Sequence, residues 1–172
     1  MDEIKNQECP LCHKKTLTLI EDMRDIPHFG KCYLMSMSCS NCHYHKADVE
    51  SEEQKEPCKI TFTIKNKKDL NIMVVKSSEA NIKIPQMRLN VESGPSSIGY
   101  ITTVEGVLKR FKDIIEEEKD NAEDASAKKT AKNLLKKFWK VECGEQELKI
   151  IIEDPSGNSA IISEKAEISK LK

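Results

Sequence analysis

Four cysteines stand in two Cys-x-x-Cys pairs, Cys9-Pro10-Leu11-Cys12 and Cys39-Ser40-Asn41-Cys42, with 26 residues between them. A Cys-x-x-Cys turn aims two sulfurs at one point. Two such turns complete a tetrahedron of thiolates, the sphere that zinc prefers. Four protein ligands leave no open position, so Cys9, Cys12, Cys39 and Cys42 predict one structural zinc ion rather than a catalytic one. Two copies of the pair, with no βαβ pattern around either, argue against a redox site. The ion's effect belongs to folding, since zinc binding is worth about 10–16 kcal/mol in finger peptides. Stripping the metal is expected to unfold residues 1–50 selectively.

Other reactive side chains form no comparable group. His13 and His43 each follow a knuckle directly, where His can take a positive φ. They are read as backbone-shape or surface residues. Cys32, Cys58 and Cys143 are unpaired in spacing and read as buried, inert thiols. A nucleophilic thiol needs a base nearby, and no His lies beyond His45 in the sequence. That absence also argues against a metal-dependent oxygenase, whose site needs histidines on strands. Glycine-rich phosphate loops are missing, and no triad or acid pair assembles. The chain is not expected to be an enzyme.

Composition narrows the partners. The 172 residues carry 28 basic and 29 acidic side chains, a formal charge of −1. That balance argues against a general nucleic-acid coat and a polybasic membrane anchor. Only three of the basic residues are Arg, the side chain suited to bidentate base and phosphate contacts. The longest apolar run, Ile72 to Val75, is far too short for a span. The polar N-terminus lacks the apolar core of a secretory signal. Seven cysteines without such a signal point to a reducing, cytoplasmic setting. The apolar share of 38% is low for one compact core, so a metal is a natural supplement.

The elements that position these residues follow from periodicity. Thr16 to Ile20 and Tyr33 to Ser38 read as short strands. Glu50 to Glu56 reads as a charged, structureless link, which divides a zinc ribbon at 1–52 from a β domain at 53–172. Ile60, Phe62 and Ile64 alternate with polar neighbours, as in a half-buried strand. Asn66 to Asp69 supplies a turn, and Leu70 to Val75 reads as a strand covered on both faces. Ile82 with Ile84, and Met87 with Leu89 and Val91, give two more alternating runs. The period changes at Thr102, whose spacing to Glu105 suits a capping box. Val104, Val107, Leu108, Phe111, Ile114 and Ile115 recur at helical spacing, as do Ala131, Leu134, Leu135 and Phe138. A break near Asp120-Asn121 makes these an antiparallel hairpin over about 103–141. Seven acids in 113–124 then face a lysine-rich 128–140. Leu148 to Glu153 and Ala160 to Ile162 return to strands around the turn Asp154 to Ser159. The tail from Ser163 is polar and expected to fray.

An ordered set of islands carries a family likeness. They are the two cysteine pairs, Asp25-Ile26-Pro27-His28-Phe29-Gly30, and Met35-Ser36-Met37-Ser38. Then come Asp69-Leu70-Asn71, Val74-Val75-Lys76-Ser77, Ile82-Lys83-Ile84-Pro85, Thr102 to Gly106, and Asp154-Pro155-Ser156-Gly157-Asn158-Ser159. Together, from Cys9 to Ile162, they resemble the ZPR-type zinc-finger proteins, which bind elongation factor. The resemblance implies an α+β, mainly β fold. An N-terminal four-cysteine zinc ribbon would precede a double-stranded β-helix-like, jelly-roll-like domain with an inserted antiparallel helical hairpin. It implies a single-copy, archaeal-type member, where eukaryotic relatives carry two tandem copies. It implies binding to translation elongation factor 1-alpha and help with its folding. The family's Ile-Pro-Glu appears here as Ile84-Pro85-Gln86.

Candidate partner contacts follow from exposure and from that likeness. Ile26, Pro27, His28 and Phe29 sit between the knuckles and present apolar groups on a loop, read either as Phe29 packing against the ribbon or as a partner-facing tip. Lys76 follows a buried strand; its default reading is solvation, with a local salt bridge or an acidic partner as the alternatives. Asp154, Ser156, Gly157 and Asn158 suit a tight turn first and a contact second. The expected function is therefore a zinc-binding, non-enzymatic interaction module, monomeric, with elongation factor 1-alpha as partner. The alternative is a zinc ribbon acting on RNA or in transcription, which predicts salt-sensitive nucleic-acid binding.

Overall fold

A computed structural model of the chain describes residues 1–26, 30–52 and 55–171. Four antiparallel strands form the N-terminal sheet: β1 (Asp2–Glu8), β2 (Lys15–Ile26), β3 (Gly30–Cys39) and β4 (His45–Ser51). They pair in chain order. β2 and β3 are longer than the sequence pattern indicates, because their register runs unbroken from Leu17–Cys39 to Ile26–Gly30. β1 is exposed along its whole length and is positioned by pairing with β2, so it carries no apolar alternation to read.

The rest of the chain builds a jelly roll. Its strands are β5 (Cys58–Ile64), β6 (Met73–Lys76), β7 (Asn81–Ile84), β8 (Leu89–Val91), β9 (Tyr100–Thr103), β10 (Leu148–Asp154), β11 (Ala160–Ile161) and β12 (Glu167–Lys170). One sheet has the order β12-β5-β10-β7-β8 and the other β11-β6-β9. β5 and β10 pair with Ile64 opposite Leu148, Phe62 opposite Ile150 and Ile60 opposite Ile152. All six side chains are buried. Period-2 alternation puts them on one face, and burial of each contributes about 1.5–3 kcal/mol.

Between β9 and β10 lie α1 (Val104–Asn121) and α2 (Ala125–Glu142). They pack against each other, and Val107, Leu108, Phe111 and Phe138 enter the same core as β5 and β10. The helical pair therefore closes the jelly-roll core rather than standing on it. A cross-helix ion pair, Lys112 to Glu142, ties α1 to the last turn of α2. Among the described residues no ion pair joins the acidic 113–124 stretch to Lys128 or Lys129, so the charge layout is a solvated face.

Several local expectations are corrected. The N-cap of α1 is Thr103, whose hydroxyl accepts the Gly106 N–H, not Thr102. Gly106 lies so close to Thr102 that a Cβ there would meet its hydroxyl at 2.1 Å. Leu70 belongs to a 3-10 turn, Lys67–Asn71, and not to β6. Asp69 folds that turn back by accepting the N–H groups of Lys65 and Asn66. The polar tail does not fray. β12 pairs with the edge of β5, and Lys165 reaches Asp69 at 2.7 Å. β12 is exposed throughout, so only its backbone partner reveals it. The expected boundary between residues 52 and 53 meets Glu53, outside the described residues.

The ribbon docks on the jelly roll by the end of its sheet away from the cysteine pairs. Cys32 and Val49 pack with Val75 and Ala160, and Ile26 packs beside them. Asp48 accepts N–H groups from Val49 at 2.8 Å and from Gly99 at 2.7 Å, which joins the two parts through one carboxylate. Gly99 has to be glycine there, since a Cβ would stand 2.1 Å from the Val49 carbonyl oxygen.

Candidate metal centre

The two knuckles repeat one backbone design. Cys9 N–H donates to the Lys14 carbonyl, and His13 N–H returns to the Cys9 carbonyl, both at 2.9 Å. Cys39 N–H donates to the Tyr44 carbonyl at 2.8 Å, and His43 N–H to the Cys39 carbonyl at 3.0 Å. His13 and His43 both hold positive φ, 54° and 59°. Their imidazoles are thus turn residues, as the sequence indicates, and not ligands. The turn geometry lifts the second cysteine of each pair toward the first.

Cys9, Cys12, Cys39 and Cys42 converge, with all four sulfurs within 4.8 Å of one another. Cys9 Sγ lies 3.6 Å from Cys42 Sγ, and Cys12 Sγ lies 3.7 Å from Cys39 Sγ. Zinc–sulfur bonds of about 2.3 Å in a regular tetrahedron place sulfurs about 3.8 Å apart. The four thiols fit one zinc ion, and they are spaced too widely for disulfides, whose S–S bond is about 2.05 Å. Cys9 and Cys39 are buried with Leu17, while Leu19, Met37 and Tyr44 pack around them. That apolar cover limits water at the sulfurs.

Electrostatics support the same occupant. The Thr16 hydroxyl lies 3.2 Å from Cys39 Sγ. Its hydrogen bond, followed by those of the Cys42 and Asn41 backbone, lowers the Cys39 thiol to about 6. The Lys14 backbone N–H is the main reason that Cys12 is lowered. At Cys42 the Tyr44 N–H pulls down, but burial and the three neighbouring thiols outweigh it and push the group up to about 12. Four thiols this close cannot all ionise without a cation between them. A divalent ion supplies that charge, and its hold on the sulfurs fixes both knuckles. No substrate position remains once four sulfurs ligate, so the centre is structural.

The expected partner contacts are placed very differently. Pro27, His28 and Phe29 lie outside the described residues. Ile26 is half-buried against the cluster that joins ribbon to jelly roll. Asp154, Ser156 and Asn158 are buried, with Asp154 fully so, inside the turn that is their first reading. Asp154 Oδ1 accepts the N–H and hydroxyl of Ser156, and Oδ2 accepts the N–H of Ser159. The carboxylate acts as the hub of its own turn. Gly157 has φ 69° and sits where a Cβ would be 2.3 Å from the Glu56 carbonyl oxygen. It lets the turn lie against the chain entering β5. Lys76 is also buried, beside this turn, with its ammonium donating to the Ser77 carbonyl at 2.9 Å. Sequence reasoning missed Thr16 and Asp48. Neither has a motif, and both act through a partner distant in sequence.

No helix among the described residues is long and apolar enough to cross a membrane. Comparison with known proteins agrees with the geometry. A ZPR1 zinc-finger domain matches residues 3–57, and a ZPR1 jelly-roll domain matches residues 68–172. An uncharacterised ZPR1-like protein of Methanocaldococcus jannaschii is 36% identical over 97% of this chain and 85% of its own. A ZPR1-like protein of Pyrococcus horikoshii is 34% identical over 99% of this chain and 78% of its own. A Schizosaccharomyces pombe protein named zinc finger chaperone zpr1 is 32% identical over 89% of this chain, which spans 33% of that larger protein.

Proposed function

This chain belongs to the ZPR1 zinc-finger family, and on that premise we propose that it is a cytoplasmic, non-enzymatic interaction module that binds translation elongation factor 1-alpha and assists its folding. The observation that carries the reading is the likeness, over 89% of the chain, to a protein named as a zinc finger chaperone. The site chemistry supports it. The zinc centre is closed by four sulfurs, and the buried carboxylates Asp69 and Asp154 are spent on loop hydrogen bonds. The stretch Ile26-Pro27-His28-Phe29 begins at the last residue of β2 and runs on in sequence toward β3, and Lys76 lines a pocket on the jelly roll. We assign both to the partner contact. Asp154, Ser156, Gly157 and Asn158 shape the turn behind Lys76.

The test is a pull-down of purified elongation factor 1-alpha by the zinc-loaded chain, at moderate salt, with GDP or GTP added. A complex whose yield depends on the nucleotide is expected. A second arm refolds denatured factor with and without the chain and reads recovered GDP binding. Tight, salt-sensitive binding to random RNA without any factor complex would replace this reading with the nucleic-acid alternative.

A further inference from the structure

Lys76 is a buried charge without an ion pair among the described residues. The residue is 5% exposed, and its ammonium makes one hydrogen bond, to the Ser77 carbonyl. Among the described residues no carboxylate lies within ion-pair distance. Asp154 acts on it from further away, but both Asp154 oxygens are already engaged by Ser156 and Ser159. Burial lowers the Lys76 pKa. Asp154 and Asp48 act in the raising direction, and Arg110 adds to the lowering. Removing an ammonium from water is costly unless a partner is supplied.

A second cation stands beside it. Arg110, on the exposed face of α1, holds its guanidinium carbon 4.1 Å from the centroid of the Tyr100 ring. Lys76 Nζ lies 5.7 Å from the same centroid. Cation–π attraction to the ring offsets part of the cost of gathering the charges. Arg110 also has no ion pair among the described residues. Both cations line a pocket of about 250 Å³ whose floor is apolar, formed by Ile82, Val107 and Phe111. Ile114, 50% exposed, lies at its edge and continues the apolar surface outward.

Size and charge select the occupant. Small-molecule sites usually run to about 300–1,000 Å³, so this pocket suits one side chain better than a whole ligand. Two unpaired cations above an apolar floor complement a carboxylate joined to an apolar group. We propose that this pocket receives a segment of a partner protein in which an apolar side chain neighbours an Asp or Glu. The apolar side chain packs on Val107 and Phe111, and the carboxylate bridges Lys76 and Arg110. The inference rests on the proposed role as a protein-binding module and names the recognition element of that role.

The zinc-loaded chain is titrated, under NMR detection of backbone amides, with the capped peptide Ala-Leu-Glu-Leu-Ala and with its Gln counterpart. The Glu peptide is expected to shift Tyr100, Arg110 and Ile114, and the Gln peptide to bind at least about threefold more weakly. Arg110→Gln, a change at an exposed side chain, should weaken the Glu peptide by a similar factor. Absence of shifts at these residues, or equal shifts from both peptides, overturns the inference. A parallel pull-down with elongation factor 1-alpha separates the two claims. If the factor binds Arg110→Gln and Ile114→Ser proteins as well as the parent, the pocket is not its docking point and the inference fails together with the Lys76 contact, while factor binding by the chain stands. If the parent chain binds the Glu peptide selectively but not the factor, the proposed function fails and the pocket's specificity stands.

Discussion

Asp154 Oδ2 accepts the backbone N–H of Ser159 at 2.6 Å, and this bond closes the turn that carries the chain from β10 to β11. The two strands belong to different sheets, so one carboxylate fixes how the jelly roll crosses over. Burial alone would raise the Asp154 pKa, but the donors at Ser159 and Ser156 prevail and hold it below its usual value.

Asp154→Asn should therefore cost about 1–3 kcal/mol, because an amide offers one acceptor where the turn needs two. Thermal unfolding measures it. The pH dependence has a definite sign. A lowered carboxylate contributes stability in full above its unfolded value, near 3.9, and loses it as pH falls through the folded value. Asp69, also lowered, acts in the same direction. The parent should thus lose stability below about pH 4, and Asp154→Asn should lose less over that range. An identical acid slope in both proteins would remove Asp154 from this role.

Zinc removal should unfold the ribbon and spare the jelly roll. The cores are separate: Cys9, Leu17 and Cys39 form one cluster, and Phe62, Phe138 and Ile150 belong to another. Chelation should abolish amide-exchange protection in 2–51 while β5 and β10 stay protected. Equal protection before and after chelation would show that the ion does not hold the sheet.

Thr16→Val should weaken zinc binding by about tenfold, through loss of the hydroxyl that donates to the Cys39 sulfur. Valine keeps the branched shape, so β2 should remain intact. Competition against a chromophoric chelator reads the affinity. Unchanged affinity would make the contact incidental.

Gly99→Ala should loosen the ribbon from the jelly roll. The added methyl group collides with the Val49 carbonyl, a backbone atom that cannot turn aside. Exchange protection at Val49 and Val75 should fall, at a cost of about 1–3 kcal/mol in overall stability. A variant with parent-like protection at both residues would contradict this account of the junction.

Much of the fold was legible in local chemistry. The cysteine spacing announced the metal, and Ile60-Phe62-Ile64 announced β5, because a strand with one buried face repeats every two residues. The helical hairpin was equally plain from its apolar stripe. β1 and β12 were not legible. They are solvent-exposed edges positioned mainly by pairing with another strand's backbone, and backbone pairing leaves no mark on side-chain type. The cap of α1 was misplaced by one residue because Thr102 and Thr103 are chemically equal there. Only the turn into the helix decides between them.

Residue spacing was enough to give the four ligands, the order of the elements and the core side of most of them. Those properties depend on spacing and periodicity, which are local. Tertiary structure alone decided that Asp154, Ser156 and Asn158 point inward, that Asp48 joins two parts of the chain, and that Lys76 and Arg110 meet over one tyrosine. A polar residue in a turn looks the same whether it faces water or a buried amide. Its burial is set by what the rest of the chain packs over it, and no window of sequence contains that neighbour.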